Sequence, residues 1–278
     1  MAKKTLPSID PAEKDALADR LADSRKYRQL NLPRETFLDL IEKAAQTRSS
    51  IKDVDEVMRR KLHNLVAPYL GDPHYEQMHK TIPALPVSYD DPAVRQFCLT
   101  ALNSHSSTRE RIPIQEEFYR RIFLFTGTPA VILDLACGLN PFALPWMHLT
   151  PTARYLAYDL HEPRIEMINA FLNHFGQGGA AIQQDILVDP PQTPADVAFF
   201  FKEAHRFEQR ESGCVRAFLE NLPVKFILLS LPTETLTGPR SMLDQDRRLV
   251  DAACTGQPWD LEEMIFPSEI VFCIRKIV

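Results

Sequence analysis

The chain has 278 residues, of which 45% are hydrophobic and 25% charged, and a net charge of −5. That is the composition of an ordinary globular protein able to bury a sizeable core, and its acidic balance argues against binding nucleic acid by bulk electrostatics. No apolar run approaches the ~20 residues needed to cross a bilayer, and the lysines of Met1–Asp10 precede no apolar signal core, so the expected compartment is the cytoplasm.

Cysteine usage excludes two further classes. The five cysteines are widely spaced with no C-x-x-C pair, so neither a disulfide framework nor a zinc or other metal site is expected. Charge is uneven along the chain: the first 110 residues are nearly neutral and the remainder carries the acidic excess. The amino-terminal part is therefore the side expected to face a polyanion.

In chain order, Pro11–Tyr27 carries Ala and Leu at helical spacing behind an Asp10-Pro11 start signal. Arg34–Ala45 repeats the pattern with Phe37, Leu38 and Ile41 on one face. Asp53–Val66 sets Val54, Val57, Met58, Leu62 and Leu65 in an apolar stripe, with Lys52, Arg59, Arg60 and His63 largely on other faces. These segments predict a small helical bundle with one basic surface. The prolines and acids of Gly71–Pro92 read as an irregular linker. A helix over Pro92–Leu102 then leads to His105-Ser106-Ser107-Thr108-Arg109-Glu110-Arg111 and the helix Gln115–Phe125. The hydroxyls and arginines of that stretch could cap the helix or grip a carboxylate with a guanidinium fork.

The central stretch is Val131–Pro141, an apolar run ending in Asp134, then a turn through Ala136, Cys137 and Gly138. This is how a buried parallel strand feeds a ligand-binding turn. Cys137 reads as a small residue filling that turn rather than a nucleophile. Tyr155–Asp159 and Ala181–Asp185 are further runs closed by an acid; Val197–Lys202 and Phe226–Leu231 read as fourth and fifth strands. Helices over Pro163–Phe175 and Gly213–Asn221 fit between them, which builds a twisted parallel sheet through right-handed crossovers. Pro232–Arg240 reads as a loop, Ser241–Ala253 as a charged helix, and Glu262–Phe266 with Ile270–Ile277 as a closing antiparallel hairpin.

In an open α/β sheet, ligands bind outside the carboxyl ends of the strands, where an acid after the second strand commonly holds ribose hydroxyls. The single glycine of the 136–138 turn does not make the fingerprint that cradles a pyrophosphate. The pattern fits a nucleoside without phosphates, of which S-adenosylmethionine is the common one. Asp134 is then expected near its cationic methionine end, Asp159 at the ribose, and Asp185 with Ile186 at the adenine. The expected fold is α/β, a Rossmann-like, mostly parallel seven-stranded sheet over residues 105–278, behind a helical domain over 1–104.

His105–Arg111, the Asp134–Pro141 turn and Tyr158-Asp159 together resemble the aminoglycoside-resistance 16S ribosomal RNA methyltransferases that act on guanine N7. The resemblance extends to Ser24-Arg25-Lys26-Tyr27, Arg60-Lys61-Leu62-His63, the Lys202 strand and Phe226–Leu236, and covers nearly all of the chain. It implies the class I S-adenosylmethionine-dependent methyltransferase fold, and amino-terminal helices that dock on the small ribosomal subunit, with Arg59, Arg60, Lys61 and His63 touching rRNA phosphates. It also implies that Arg111 meets the methionine carboxylate, that Ala136 and Gly138 form the turn beside the cofactor, and that Asp159, Leu160, Asp185 and Ile186 line the ribose and adenine. Two stretches depart from the family pattern. Lys202-Glu203-Ala204-His205 stands where Met-x-Pro usually follows the lysine, and Gly238–Asp244 stands in place of a Gly-Met loop with a downstream tyrosine.

Guanine N7 carries a free lone pair, so attack on a sulfonium methyl needs no general base and catalysis is chiefly alignment of a base drawn from its stack. Lys202 and His205 are the residues expected to orient the target. The implied function is methylation of a guanine N7 in the decoding region of 16S rRNA, with aminoglycoside resistance as its consequence, by a monomer that uses no membrane. Two other readings stay open: the same cofactor with another RNA or a small-molecule acceptor, and a non-catalytic module that binds cofactor and RNA.

Overall fold

The computed structural model describes residues 9–66, 73–232 and 241–277, the side chains of 241–245 excepted. Seven strands form one sheet: β1 Val131–Leu135, β2 Arg154–Asp159, β3 Gly178–Gln183, β4 Ala195–Phe201, β5 Val224–Pro232, β6 Trp259–Ile265 and β7 Glu269–Lys276. Their order is β3-β2-β1-β4-β5-β7-β6. The first five strands run parallel, while β7 is antiparallel to both β5 and β6. The expected mostly parallel sheet and closing hairpin are both present.

Because successive side chains of a strand face opposite ways, each strand feeds two cores. Ile132, Tyr155, Ala157, Val197, Phe199, Leu228 and Val271 pack on one face, against helices α5 (Pro92–Asn103), α7 (Gln115–Thr126) and α8 (Glu162–His174), with the single turn α6 (Ser106–Arg109) between the first two. Leu133, Leu135, Leu156, Tyr158, Phe200, Ile227 and Leu229 pack on the other, against α9 (Ala204–Arg210), α10 (Cys214–Asn221) and α11 (Ser241–Cys254). Gly179, at φ +118, is obligatory where β3 passes β2: a Cβ there would lie 2.1 Å from the Tyr155 carbonyl oxygen.

Three amino-terminal helices, α1 Pro11–Ala22, α2 Arg34–Ala45 and α3 Ile51–Val66, enclose a separate core of Leu17, Leu21, Tyr27, Phe37, Ile41, Val54, Met58 and Leu62. The first helix is shorter than its periodicity suggests. It ends at Ala22, Ser24 Oγ donates to the Leu21 carbonyl oxygen, and the chain reaches Tyr27 through turns. Within the described part of the expected linker Gly71–Pro92, Tyr75–Thr81 forms helix α4, followed by one 3-10 turn, and α4 packs on α8. The prolines end that helix rather than prevent it, since Pro83 falls just beyond its last turn. Helix α5 contributes Val94, Cys98, Ala101 and Leu102 to the sheet's core. By packing, residues 75–104 therefore go with the sheet, and the break between cores falls earlier than residue 104.

Asn31, in left-handed conformation at φ +44, ties the helical unit to the sheet. Its side-chain amide donates to Glu162, and its carbonyl oxygen accepts from Gln183 Nε2. Among the described residues, no helix is long and apolar enough to cross a membrane.

Candidate functional site

A deep pocket opens at the carboxyl ends of β1, β2 and β4, where the chain leaves β1 for neighbours on either side. This is the position at which doubly wound sheets bind ligands. Every residue expected at the cofactor lines it: Arg111, Asp134, Ala136, Gly138, Asp159, Leu160, Asp185 and Ile186.

The floor is the turn after β1. Ala136 and Gly138 both take left-handed backbone, at φ +52 and +55, which curls the chain beneath the opening. Cys137, buried inside the turn, donates its N–H to the Tyr158 carbonyl oxygen at 2.8 Å. Burial holds its thiol well above the usual range, as suits a packing residue and not a nucleophile. Asp159 fastens the turn from β2: Oδ2 accepts the Gly138 N–H at 3.0 Å and Arg164 Nη1 at 2.8 Å, and Oδ1 accepts the His161 N–H at 3.1 Å.

Beneath the floor lies a buried polar network. Arg111 Nε and Nη2 donate to the two carboxylate oxygens of Glu269 at 2.7 and 2.6 Å, and Nη1 donates to Asn140 Oδ1 at 2.9 Å. Its guanidinium lies over the rings of Phe118 and Phe201, at 4.2 and 4.4 Å from their centroids. Asn140 Nδ2 donates to Asp134 Oδ2 at 3.0 Å, and the Tyr155 hydroxyl donates to the same oxygen. Burial pushes the Asp134 carboxyl up to about 7, against the pull of Tyr155, Asn140 and Arg111. The carboxylate that the Arg111 stretch grips is thus one of the protein's own, carried on β7.

The third acid is displaced from its expected place. Strand β3 ends at Gln183, paired with Asp159, and Gln184 N–H closes on the Asp159 carbonyl oxygen. Asp185 falls in the next turn, where Oδ1 accepts the Leu187 N–H at 3.2 Å. The helical unit reaches it there: Thr36 Oγ1 of α2 donates to Asp185 Oδ2 at 2.8 Å, and Arg210 bridges Asp185 to Asp39 of α2. Leu40, Lys61, Asn64 and Leu65 complete that wall.

The orienting pair expected at the end of β4 is divided. Lys202, at φ +58, lines the pocket with its ammonium donating to Glu110 at 2.6 Å. His205 does not line it. Helical spacing puts Arg206, Phe207 and Arg210 of α9 on the pocket side and His205 on another face, where burial lowers its pKa and Nδ1 has no partner.

The basic helix is divided too. Arg59, Arg60 and His63 are exposed, whereas Lys61 is half-buried at the pocket wall, its pKa lowered by burial and by Lys43, Arg210 and Arg60. Lys26 Nζ sits 3.2 Å from His63 Nδ1, so the exposed Arg25, Lys26 and Arg28 extend the basic face of α3. Thr36, Arg164, Glu203, Arg206 and Arg210 also face the site and are not among the residues expected from the sequence. Glu203 alone carried a signal, as an acid immediately after the strand-end lysine. The Gly238 stretch lies outside the described residues, apart from the backbone of α11 from Ser241 onward.

A sheet of this order, with acids closing the first two strands and a one-glycine turn between them, defines the class I methyltransferase fold. Known proteins make the assignment narrower. The chain belongs to the ribosomal RNA methyltransferase (FmrO) family, whose model matches residues 23–273. It is 29% identical over 269 residues to the 16S rRNA (guanine(1405)-N(7))-methyltransferase of Micromonospora rosea, covering 94% of this chain and 96% of that one. To the enzyme of the same name from Proteus mirabilis it is 31% identical, covering 67% and 70%. The fold matches that of the 16S rRNA methyltransferase RmtF in complex with S-adenosyl-L-homocysteine, with a TM-score of 0.77 at 24% identity, covering 97% of this chain and all of that one.

Proposed function

We propose that this protein transfers a methyl group from S-adenosylmethionine to N7 of a guanine in 16S rRNA, the guanine that corresponds to the 1405 of its relatives' names. The observation that carries the reading is the ring of acids at the switch point of the sheet, Asp134, Asp159 and Asp185, around a left-handed turn. These residues suit the donor. Carboxylates complement its sulfonium and ammonium charges and accept from its ribose hydroxyls and adenine amine, while the turn allows close backbone approach.

When bound, S-adenosylmethionine supplies an electrophilic methyl on a positively charged sulfur. The guanine N7 lone pair would become the new C–N bond, and the electron pair of the C–S bond would leave with the sulfur. No proton moves at N7. The protein's contribution is therefore orientation and exclusion of water. Asp159 and Asp185 position the nucleoside end, Lys202 is held by Glu110 at the acceptor side, and α2 and α3 close the remaining wall.

The exposed Arg59, Arg60 and His63, with Lys26 beside them, supply phosphate contacts that position the protein on the small ribosomal subunit without reading sequence. The protein acts as a monomer, because the ribosome provides the large interface. Methylation at this site blocks aminoglycoside binding and makes resistance the phenotype. The reading is tested by offering labelled S-adenosylmethionine with intact small subunits, free 16S rRNA and small metabolites. Label in 16S rRNA of intact subunits is expected; label in metabolites alone would refute it.

A further inference from the structure

Four acids line the pocket, and three are committed within the protein. Asp134 accepts from Asn140 and Tyr155; Asp159 from Gly138, His161 and Arg164; Asp185 from Thr36, Arg210 and Leu187. Glu203 differs. Its nearest cation is Arg206, with Nε at 3.6 Å, beyond hydrogen-bond reach, and no described residue donates a hydrogen bond to its carboxylate. The side chain is only 23% exposed. An under-bonded carboxyl in a pocket wall is costly in the free protein and is the natural place for a ligand to supply donors.

Its location selects which ligand. Glu203 follows the left-handed Lys202 at the end of β4, across the switch point from Asp159 and the strand ends assigned to the nucleoside donor. It therefore stands on the acceptor side of the pocket, beside Phe201, Arg206 and Phe207.

We propose that Glu203 is a specificity-determining residue that reads the target base, its two oxygens accepting from N1–H and the N2 amine of guanine while N7, on the far side of the ring, faces the methyl donor. The inference rests on the guanine N7 reading above. An ionised carboxylate only accepts. Guanine alone presents two adjacent donors on that edge; adenine and cytosine place a ring-nitrogen acceptor there, and uracil flanks one donor with two acceptors. Replacing donors with acceptors leaves lone pair against lone pair, which is how a built polar site rejects the wrong substrate.

The charge environment supports the assignment. Burial raises the Glu203 carboxyl to about 8; Arg206 and Arg164 pull towards the ionised form and Asp159 pulls against it. The adjacent Lys202 is already paired with Glu110. Guanine recognition needs the ionised form, so at saturating S-adenosylmethionine kcat/KM for the subunit should rise with pH towards about 8, and Glu203→Gln should remove that rise.

The test uses small subunits reconstituted with 16S rRNA carrying either guanosine or inosine at the target position. Inosine keeps N7 and N1–H and lacks the N2 amine. Wild type should prefer guanosine by about 10- to 100-fold in kcat/KM, the range for a hydrogen bond to a charged group. Glu203→Ala and the isosteric Glu203→Gln should lose most of that preference while their cofactor affinity stays at the wild-type value. Variants that keep the wild-type preference overturn the role of Glu203 alone. A wild-type protein that methylates N7 of neither nucleotide overturns the functional reading itself.

Discussion

The guanidinium of Arg111 and the carboxylate of Glu269, 158 residues apart, form a two-bond fork with side chains 4% and 0% exposed. This pair joins the segment before α7 to the first residue of β7, and through Asn140 it reaches Asp134 at the end of β1. The antiparallel closing strand is thereby tied to the floor of the pocket.

Breaking that fork from one side leaves a buried charge without its partner. Glu269→Ala is expected to cost about 3–5 kcal/mol of stability, read as a shift of the denaturation midpoint. Replacing both, as Arg111→Met with Glu269→Leu, should cost less than Glu269→Ala alone, because no stranded charge remains. Equal losses would show that the fork is not what holds β7 to the site.

Asp159 serves the ligand and the turn at once. Asp159→Ala removes the acceptor for Gly138 and for Arg164 as well as the proposed ribose contact. Affinity for S-adenosylmethionine should fall by about 30-fold or more, the equivalent of ~2 kcal/mol, by titration calorimetry. An unchanged affinity would remove Asp159 from the cofactor site.

The carboxyl of Asp134, raised by burial to about 7, is part-protonated at neutral pH. A cationic ligand beside it favours the ionised form, so affinity for S-adenosylmethionine should increase as pH rises from about 5.5 to 8, and Asp134→Asn should flatten the curve. Stability runs the other way. A folded-state value above that of the unfolded chain contributes stability that is fully present below about 4 and lost as pH rises through about 7.

The basic surface can be separated from the pocket. Arg59→Glu with Arg60→Glu should weaken small-subunit binding by about tenfold or more at moderate salt and leave cofactor affinity alone, since both side chains are exposed. Lys61→Glu should lower both affinities, because Lys61 lines the pocket wall. Subunit binding by filter retention at two salt concentrations distinguishes the outcomes.

What the sequence makes legible is what is encoded locally. The run into Asp134, the small-residue turn and the Tyr158-Asp159 strand end each declare themselves within a few residues, and α2, α3, β1 and the closing hairpin follow from periodicity. Relationships across long loops are hidden. Nothing in Arg111 marks Glu269 as its partner, and nothing in Thr36 marks Asp185, 149 residues away. Helix α4 is missed because flanking prolines mask a seven-residue helix whose stability comes from packing on α8. Asp185 is misread as a strand end because pairing with β2 stops at Gln183. His205 falls outside the pocket lining because one residue along α9 turns a side chain to a different face.

The most direct measurement is primer extension after borohydride–aniline cleavage of 16S rRNA from cells that make this protein, since that treatment cuts the chain at N7-methylated guanine. The expected result is a new stop in the decoding region, at the guanine equivalent to the 1405 named in the relatives, present with wild type and absent with Asp159→Ala. Uncut rRNA from cells containing folded protein that binds S-adenosylmethionine would contradict the proposed function.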